Sequence, residues 1–187
     1  MRTGNQISVC YTDQSNYCSG QGEKNIMQSS VYLKTTIPSY LTARRSRDII
    51  IAGKQEVTWV WWKERKDNYS LFVSAYVLDE ASIGDPEAAG KRMELLQGIP
   101  VLTVDEEVAR LAEVIIRDKI IPEKSATDAL HIAVATRHGM DYLLTWNCTH
   151  IANAEMMRMV GRIMEDQGYE IPVICTPDEL MGGVNDD

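Results

Sequence analysis

Polar side chains that could do chemistry occur at four separated places in the chain. They are Lys34-Thr35-Thr36, Glu80, Asp128 and Thr145-Trp146-Asn147. Carboxylate and other oxygens are the ligands that hard divalent cations prefer, and such cations can polarise a phosphodiester and activate water. The set could therefore serve metal-assisted phosphodiester chemistry, provided that the fold brings the four places together.

The pattern of strands and helices predicts a fold that does so. Strand-like runs at 30–33, 69–73, 99–104, 140–145 and 172–175 alternate with helical patterns at 48–66, from 74, from 85, from 105, at 124–138 and at 152–167, and a last helical turn is predicted at 177–181. This alternation is typical of an α/β fold with a parallel sheet covered by helices on both faces. Working residues in such sheets lie at the carboxyl ends of the strands, near the point where the strand order reverses.

Local signals mark where the helices begin and end. Ser74, Asp85 and Asp105 are predicted helix caps, because a short polar side chain there can accept a hydrogen bond from the first turn. Gly139 and Gly168 are predicted helix stops, since glycine readily adopts the left-handed conformation that ends a helix.

The composition predicts one globular domain in the cytoplasm. The chain has 187 residues, of which 44% are apolar, and no apolar run approaches the roughly 18 residues that a membrane span needs. Residues 1–26 lack the layout of a secretory signal and are predicted to form a loose extension, followed by one domain at 27–182 and a flexible tail at 183–187. The four cysteines form no C-x-x-C pair, which favours reduced thiols over a zinc site.

Net charge and missing motifs exclude several classes of function. The formal charge of −8 argues against binding nucleic acid by bulk electrostatics, so affinity for RNA would have to be local. The same charge would suit a basic protein partner. Neither G-x-x-x-x-G-K-[ST] nor G-x-G-x-x-G occurs after a predicted strand, which disfavours enzymes that use nucleotide cofactors.

The order and spacing of the four polar places resemble one protein family. The run V-Y-L-K-T-T-I-P-S-Y-L from Val31, the helix from Ser74 to Glu80, the D-A-L-H-I-A helix from Asp128 and the L-L-T-W-N strand end are similar to the PIN domains of VapC-type toxins. This resemblance implies a PIN-like three-layer fold, a twisted parallel sheet flanked by helices. It also implies an endoribonuclease that uses Mg²⁺ or Mn²⁺, with RNA as substrate and an antitoxin protein as partner.

The resemblance assigns site residues by position. Glu80 matches the family's second acid, Asp128 its third, and Asn147 a fourth position that accepts neutral oxygen donors, so these three are the implied catalytic residues and metal ligands. Thr35, Thr36 and Thr145 are expected to support them through their hydroxyl groups. Lys34 occupies the position of the first acid.

Lys34 divides the functional prediction in two. An ammonium in place of a carboxylate removes a ligand and changes the local charge by two units, each worth roughly 4 kcal/mol at contact distance and an effective dielectric of 20. Metal affinity should therefore fall, and Lys34 is predicted to bridge Glu80 and Asp128 in the metal-free fold. The first hypothesis is a metal-dependent ribonuclease weakened by Lys34, and the alternative is an inactive PIN scaffold that binds RNA or a protein.

Other features keep two interpretations each. Asn147 could be a ligand or a turn and cap residue, and His131, three residues after Asp128, is not assigned because a core histidine is the commoner case. Three arginines within 44–47 could grip RNA phosphates or form a solvated charge cluster. The tryptophans Trp59, Trp61 and Trp62 favour a core or a dimer or partner surface, with base stacking as the less favoured alternative.

Overall fold

The computed structural model describes residues 28–117, 121, 125–148, 151 and 154–182, so the predicted extension at 1–26 and tail at 183–187 lie outside the described residues. The strands are β1 (Ser30–Leu33), β2 (Ser70–Ser74), β3 (Val101–Leu102), β4 (Tyr142–Leu144) and β5 (Val173–Cys175). The helices are α1 (Thr36–Thr42), α2 (Ile49–Glu64), α3 (Ala75–Ser82), α4 (Pro86–Leu96), α5 (Glu106–Arg117), α6 (Ala126–Arg137) and α7 (Ala154–Asp166).

The five strands form a parallel sheet in the order β3-β2-β1-β4-β5. Strand β1 pairs with β2 on one side and with β4 on the other, so the strand order reverses beside β1. The carboxyl ends of β1, β2 and β4 therefore lie at the edge where parallel sheets carry their sites. The α/β fold predicted from the sequence is confirmed.

The helices fall into two sets because crossovers between parallel strands are right-handed. Helices α1 to α4 connect β1 to β2 and β2 to β3, on one side of β1. Helices α5 and α6 lead from β3 to β4, and α7 leads from β4 to β5, on the other side of β1. Packing mostly follows this division, with α1 against α2 and α4, and α5 against α6 and α7, while α3 packs against both α4 and α6. None of the helices in the described part of the chain is both long and apolar enough to cross a membrane.

The core lies between the sheet and these helices. Helix α5 packs one apolar face against it, since Val108, Leu111, Ala112 and Ile115 recur at helical spacing and are all buried. They pack in one cluster with buried side chains of the central strands, among them Tyr32, Leu33, Leu143 and Leu144.

Two of the three predicted caps are confirmed. Asp85 accepts a hydrogen bond from Ala88 N at 3.0 Å, and Asp105 accepts one from Val108 N at 3.0 Å. The prediction for Ser74 is wrong in its chemistry, because Ser74 precedes α3 but its hydroxyl is hydrogen-bonded to the Tyr32 hydroxyl instead. A buried partner on β1 thus replaces the capping bond.

Two predicted elements are shorter than expected. Strand β3 has only two residues, because it lies at the edge of the sheet and pairs only with Val73 and Ser74 at the end of β2. The predicted helical turn at 177–181 is a hydrogen-bonded turn whose bonds span three residues, as from Leu180 N to Pro177 O, and it does not continue into a helix.

Candidate functional site

The end of β1 fixes the backbone of Lys34 beside β4. Lys34 N donates to Leu144 O at 3.0 Å, and Lys34 O accepts from Ile37 N at 2.9 Å, so the residue links the strand pair to the first turn of α1. The backbone of Lys34 therefore lies at the point of the sheet where the strand order reverses.

The ammonium of Lys34 lies between two carboxylates. Nζ is 3.2 Å from Asp128 Oδ1 and 3.9 Å from Glu80 Oε2. The side chains of Lys34 and Asp128 are 8% and 10% exposed, and that of Glu80 is 29% exposed. Buried charges of this kind are costly unless paired. The bridge between the two acids that the sequence predicts is therefore present.

Asn147 joins the cluster through Asp128. Its Nδ2 donates to Asp128 Oδ2 at 3.0 Å, so each oxygen of this carboxylate has a contact. Thr36 and Thr145 act on the backbone beside it, since Thr36 Oγ1 accepts from Trp146 N and Thr145 Oγ1 accepts from Asn147 N, both at 3.0 Å. The two threonines thus hold the loop that carries Asn147 rather than contacting a carboxylate.

Glu80 is held in its ionised form by its neighbours. The Thr35 hydroxyl donates to Glu80 Oε2, as the sequence predicts for a supporting threonine. Burial alone would raise the pKa of Glu80, but His131, Thr35 and Lys34 together outweigh it and lower that pKa to about 2. Glu80 and Asp128 thus face Lys34 in a mixed-charge cluster.

His131 is fully buried behind Glu80. Its Nδ1 is 2.8 Å from the Tyr32 hydroxyl, which is in turn 2.6 Å from Ser74 Oγ. Nε2 approaches Glu80 Oε2 at 3.3 Å but has no well-aligned hydrogen-bond partner among the described residues. Burial lowers the pKa of His131 more than Glu80 raises it, so the ring is neutral at neutral pH.

These contacts form a side-chain network that links Ser74, Tyr32, His131 and Glu80. A consistent assignment has the Tyr32 hydroxyl donating to His131 Nδ1, which leaves the Nε2–H facing the carboxylate. Neither Tyr32 nor His131 is assigned to the site by the sequence alone. Two signals were present: Tyr32 is a polar aromatic residue inside a buried strand, and His131 follows Asp128 by three residues on a helix.

The divalent cation that the sequence resemblance implies would need oxygen ligands that converge on one point. The position between Asp128 and Glu80 is already taken by an ammonium, and Asn147 presents an N–H donor to Asp128. Within the described residues, no three His, Cys, Asp or Glu side chains converge in a way that could hold a metal ion. The residues as arranged do not fit a divalent cation.

The sequence also singled out three arginines and the tryptophans of α2. Arg44, Arg45 and Arg47 are exposed on the loop between α1 and α2. On α2, Trp61 is buried in the core while Trp59 is 49% exposed, so the tryptophans do not form a single surface.

Comparison of the sequence with protein-family models identifies one family. Residues 49–147, just over half of the chain, match the family model described as the PIN domain, and this span includes Glu80, Asp128 and Asn147 but not Lys34. No curated protein sequence matches the chain.

Two solved structures are similar at low identity. The crystal structure of Mycobacterium tuberculosis VapC20, a sarcin-ricin loop cleaving toxin, is 16% identical over 65% of this chain and 93% of that chain, with a TM-score of 0.44. The structure of Rickettsia felis VapBC2 bound to a DNA fragment from their promoter is 13% identical over 79% of this chain and 98% of that chain, with a TM-score of 0.45.

Proposed function

The chain belongs to the PIN-domain family, and from this premise we propose that it binds RNA through a PIN fold in which Lys34 has replaced the divalent cation. Lys34 places one internal positive charge between Asp128 and Glu80, so the cluster keeps its shape without a metal. The observation that carries this proposal is the buried ammonium 3.2 Å from Asp128 and 3.9 Å from Glu80.

The charges at the site argue against efficient metal-assisted cleavage. Metal-assisted hydrolysis of a phosphodiester needs carboxylates that are free to hold a cation. Here Asp128 is engaged on both oxygens, by Lys34 and by Asn147, and Glu80 is engaged by Thr35 and Lys34. A cation would have to displace Lys34, which is almost completely buried, before it could lie between the two acids.

A second candidate is the metal-dependent endoribonuclease, with Glu80, Asp128 and Asn147 as the ligands of Mg²⁺ or Mn²⁺. The observation that favours it is the convergence of two carboxylates and an amide at the carboxyl edge of the sheet. The family premise supports an antitoxin-type protein as a partner under either candidate, and the charge of −8 would suit a basic one.

Cleavage assays on four proteins separate the two candidates. The wild type, Lys34→Glu, Asp128→Ala and the double variant are incubated with a labelled single-stranded RNA in Mg²⁺ or Mn²⁺, and in EDTA. We expect the wild type to bind the RNA without metal-dependent cleavage, whereas Lys34→Glu, which supplies a third carboxylate, should cleave it. Asp128→Ala should abolish the activity that Lys34→Glu gains.

The outcomes are distinct. Metal-dependent cleavage by the wild type that Asp128→Ala removes would establish the second candidate and refute an inactive site. Failure of the folded wild type to bind any RNA would refute the proposed function itself.

A further inference from the structure

The loop between α1 and α2 presents a fixed cluster of positive charge. Arg44, Arg45 and Arg47 are exposed, and among the described residues none of them forms an ion pair with a carboxylate. The side chain of Gln55 holds this loop, because its Oε1 accepts from Ser46 N at 2.8 Å and its Nε2 donates to Arg44 O at 3.0 Å. The backbone that carries the arginines is thus held in place, and their positive charges are exposed on a chain whose net charge is −8.

A groove beside this loop carries aromatic rings. It has a volume of about 260 Å³ and is lined by residues of α1, the loop and α2, namely Tyr40, Leu41, Ala43, Arg45, Ala52, Gln55, Glu56 and Trp59. Trp59 is 49% exposed, and Lys63 Nζ lies 4.4 Å from the centroid of its ring. Aromatic faces next to cations are the features on which unpaired bases stack.

Ring and cation contacts connect the groove to the candidate site. The rings of Tyr40 and Trp146 are 6.2 Å apart, Lys54 Nζ lies 5.2 Å from the Trp146 ring, and Trp146 directly precedes Asn147. Helix α1 connects Thr36 at the site to the loop over seven residues, or about 10 Å. That length equals about three stacked nucleotides at roughly 3.4 Å each.

We propose that single-stranded RNA binds along this surface, with Arg44, Arg45 and Arg47 on its phosphates and Tyr40 and Trp59 against its bases, and runs past Trp146 to the Lys34 cluster. The inference rests on the proposed function, since it assigns the path of the RNA. It also accounts for how an acidic protein holds a polyanion, because the positive charge is concentrated beside the site.

Charge decides between RNA and a protein partner. Ile49, Ile50 and Ile51 at the start of α2 are exposed and would suit a protein contact. The groove itself combines Tyr40, Trp59 and Arg45 with one acid, Glu56, while Lys63 lies over the Trp59 ring and Lys54 over the Trp146 ring. Cations beside exposed aromatic rings suit the phosphates and bases of a single strand.

The test measures affinity for a fluorescein-labelled single-stranded RNA by anisotropy, in EDTA and over a range of salt concentrations. The double variant Arg44→Ala/Arg45→Ala should weaken binding about tenfold or more and reduce the slope of log K against log salt by about 1.4. The matched control is Arg158→Ala/Arg162→Ala, which removes two exposed arginines from α7 and should change neither quantity.

A second variant tests the aromatic part. Trp59→Ala should weaken binding about 5- to 150-fold with no change in the salt slope, and a duplex of the same sequence should bind more weakly than the single strand because its bases are already stacked. Circular dichroism should show that every variant is folded at the temperature of the binding assay, so that a loss of affinity reports the removed contact.

Each result has a separate meaning. If the wild type binds RNA while the loop variant and the α7 control bind equally well, the inference fails and the proposed function stands; the surface with Ile49, Ile50 and Ile51 is then left for a protein partner. If Trp59→Ala has no effect, stacking on this groove is refuted. If the wild type binds no RNA, the proposed function fails first.

Discussion

The carboxylates at the two ends of the β1–β4 strand pair are stabilised in different ways. At the amino end, Asp141 is exposed, and its Oδ2 accepts from Ser30 N and Ser30 Oγ, both at 2.7 Å. At the carboxyl end, Asp128 is buried and is neutralised by Lys34 and contacted by Asn147. The first carboxylate is satisfied by neutral donors on the neighbouring strand, while the second needs a cation.

This difference distinguishes a structural acid from one at a functional site. Asp141 and Ser30 lock the register of two strands, and the backbone hydrogen bond from Ser30 is the main reason that the pKa of Asp141 lies below its usual range. Asp128 lies at the edge of the sheet where parallel sheets carry their sites, and its charge is balanced by the buried ammonium of Lys34. The predictions below test whether the carboxyl end depends on that cation while the amino end does not.

The largest effect is expected from Lys34→Ala. Removing the ammonium leaves Asp128 and Glu80 facing each other without a cation, and breaking a buried ion pair in this way costs about 3–5 kcal/mol. Urea unfolding at neutral pH measures the loss. Lys66→Ala is the control, because Lys66 pairs with the exposed Asp67 and should cost less than about 1 kcal/mol. Equal losses for the two variants would contradict the account.

Acid should destabilise the protein through Glu80. Its pKa is about 2 in the folded protein and about 4.5 in the unfolded chain, so the folded state binds fewer protons between these values. Stability should be fully present above about pH 5 and fall as the pH drops towards 2, by up to about 3 kcal/mol from this group. The free energy of unfolding against pH should be flatter in Glu80→Gln, and an unchanged slope would argue against the contacts assigned to Glu80.

A smaller loss is expected from Tyr32→Phe. The change removes a buried hydroxyl and leaves Ser74 Oγ and His131 Nδ1 without that partner, at a cost of about 2 kcal/mol. Tyr69→Phe provides the comparison, since the Tyr69 hydroxyl makes only a long contact of 3.5 Å to Leu180 O. If Tyr32→Phe proves as mild as Tyr69→Phe, the side-chain network that links Ser74, Tyr32, His131 and Glu80 has no energetic role.

Much of this organisation could be read from local patterns in the sequence. Strand β1 and the caps at Asp85 and Asp105 follow from short-range rules and are found as predicted. The bridge by Lys34 was predictable because three charged residues fell at positions that a parallel sheet brings together. Family resemblance supplied those positions.

Other features depend on contacts between distant segments. Ser74 follows the capping rule but bonds to Tyr32, 42 residues earlier, and His131 contacts Tyr32 from 99 residues away. Strand β3 is short because only the end of β2 is available to pair with it. No local pattern encodes these choices, since each depends on which side chains the folded sheet brings next to one another.

The smallest effect belongs to the amino end of the strand pair. Ser30→Ala removes two hydrogen bonds to Asp141, one donated by the Ser30 hydroxyl and one accepted by it, and should cost about 1 kcal/mol because this site is exposed. Thermal melting is sufficient to measure it. A loss as large as that of Lys34→Ala would remove the distinction between the two ends.

Binding of Mn²⁺ to the wild type and to Lys34→Glu, measured by calorimetry in the absence of RNA, tests most directly whether Lys34 holds the place of a cation. We predict no binding to the wild type, and binding to Lys34→Glu that Asp128→Ala abolishes and that raises the melting temperature with increasing Mn²⁺. Binding of Mn²⁺ to the wild type with the affinity of Lys34→Glu, and its loss in Asp128→Ala, would contradict the claim.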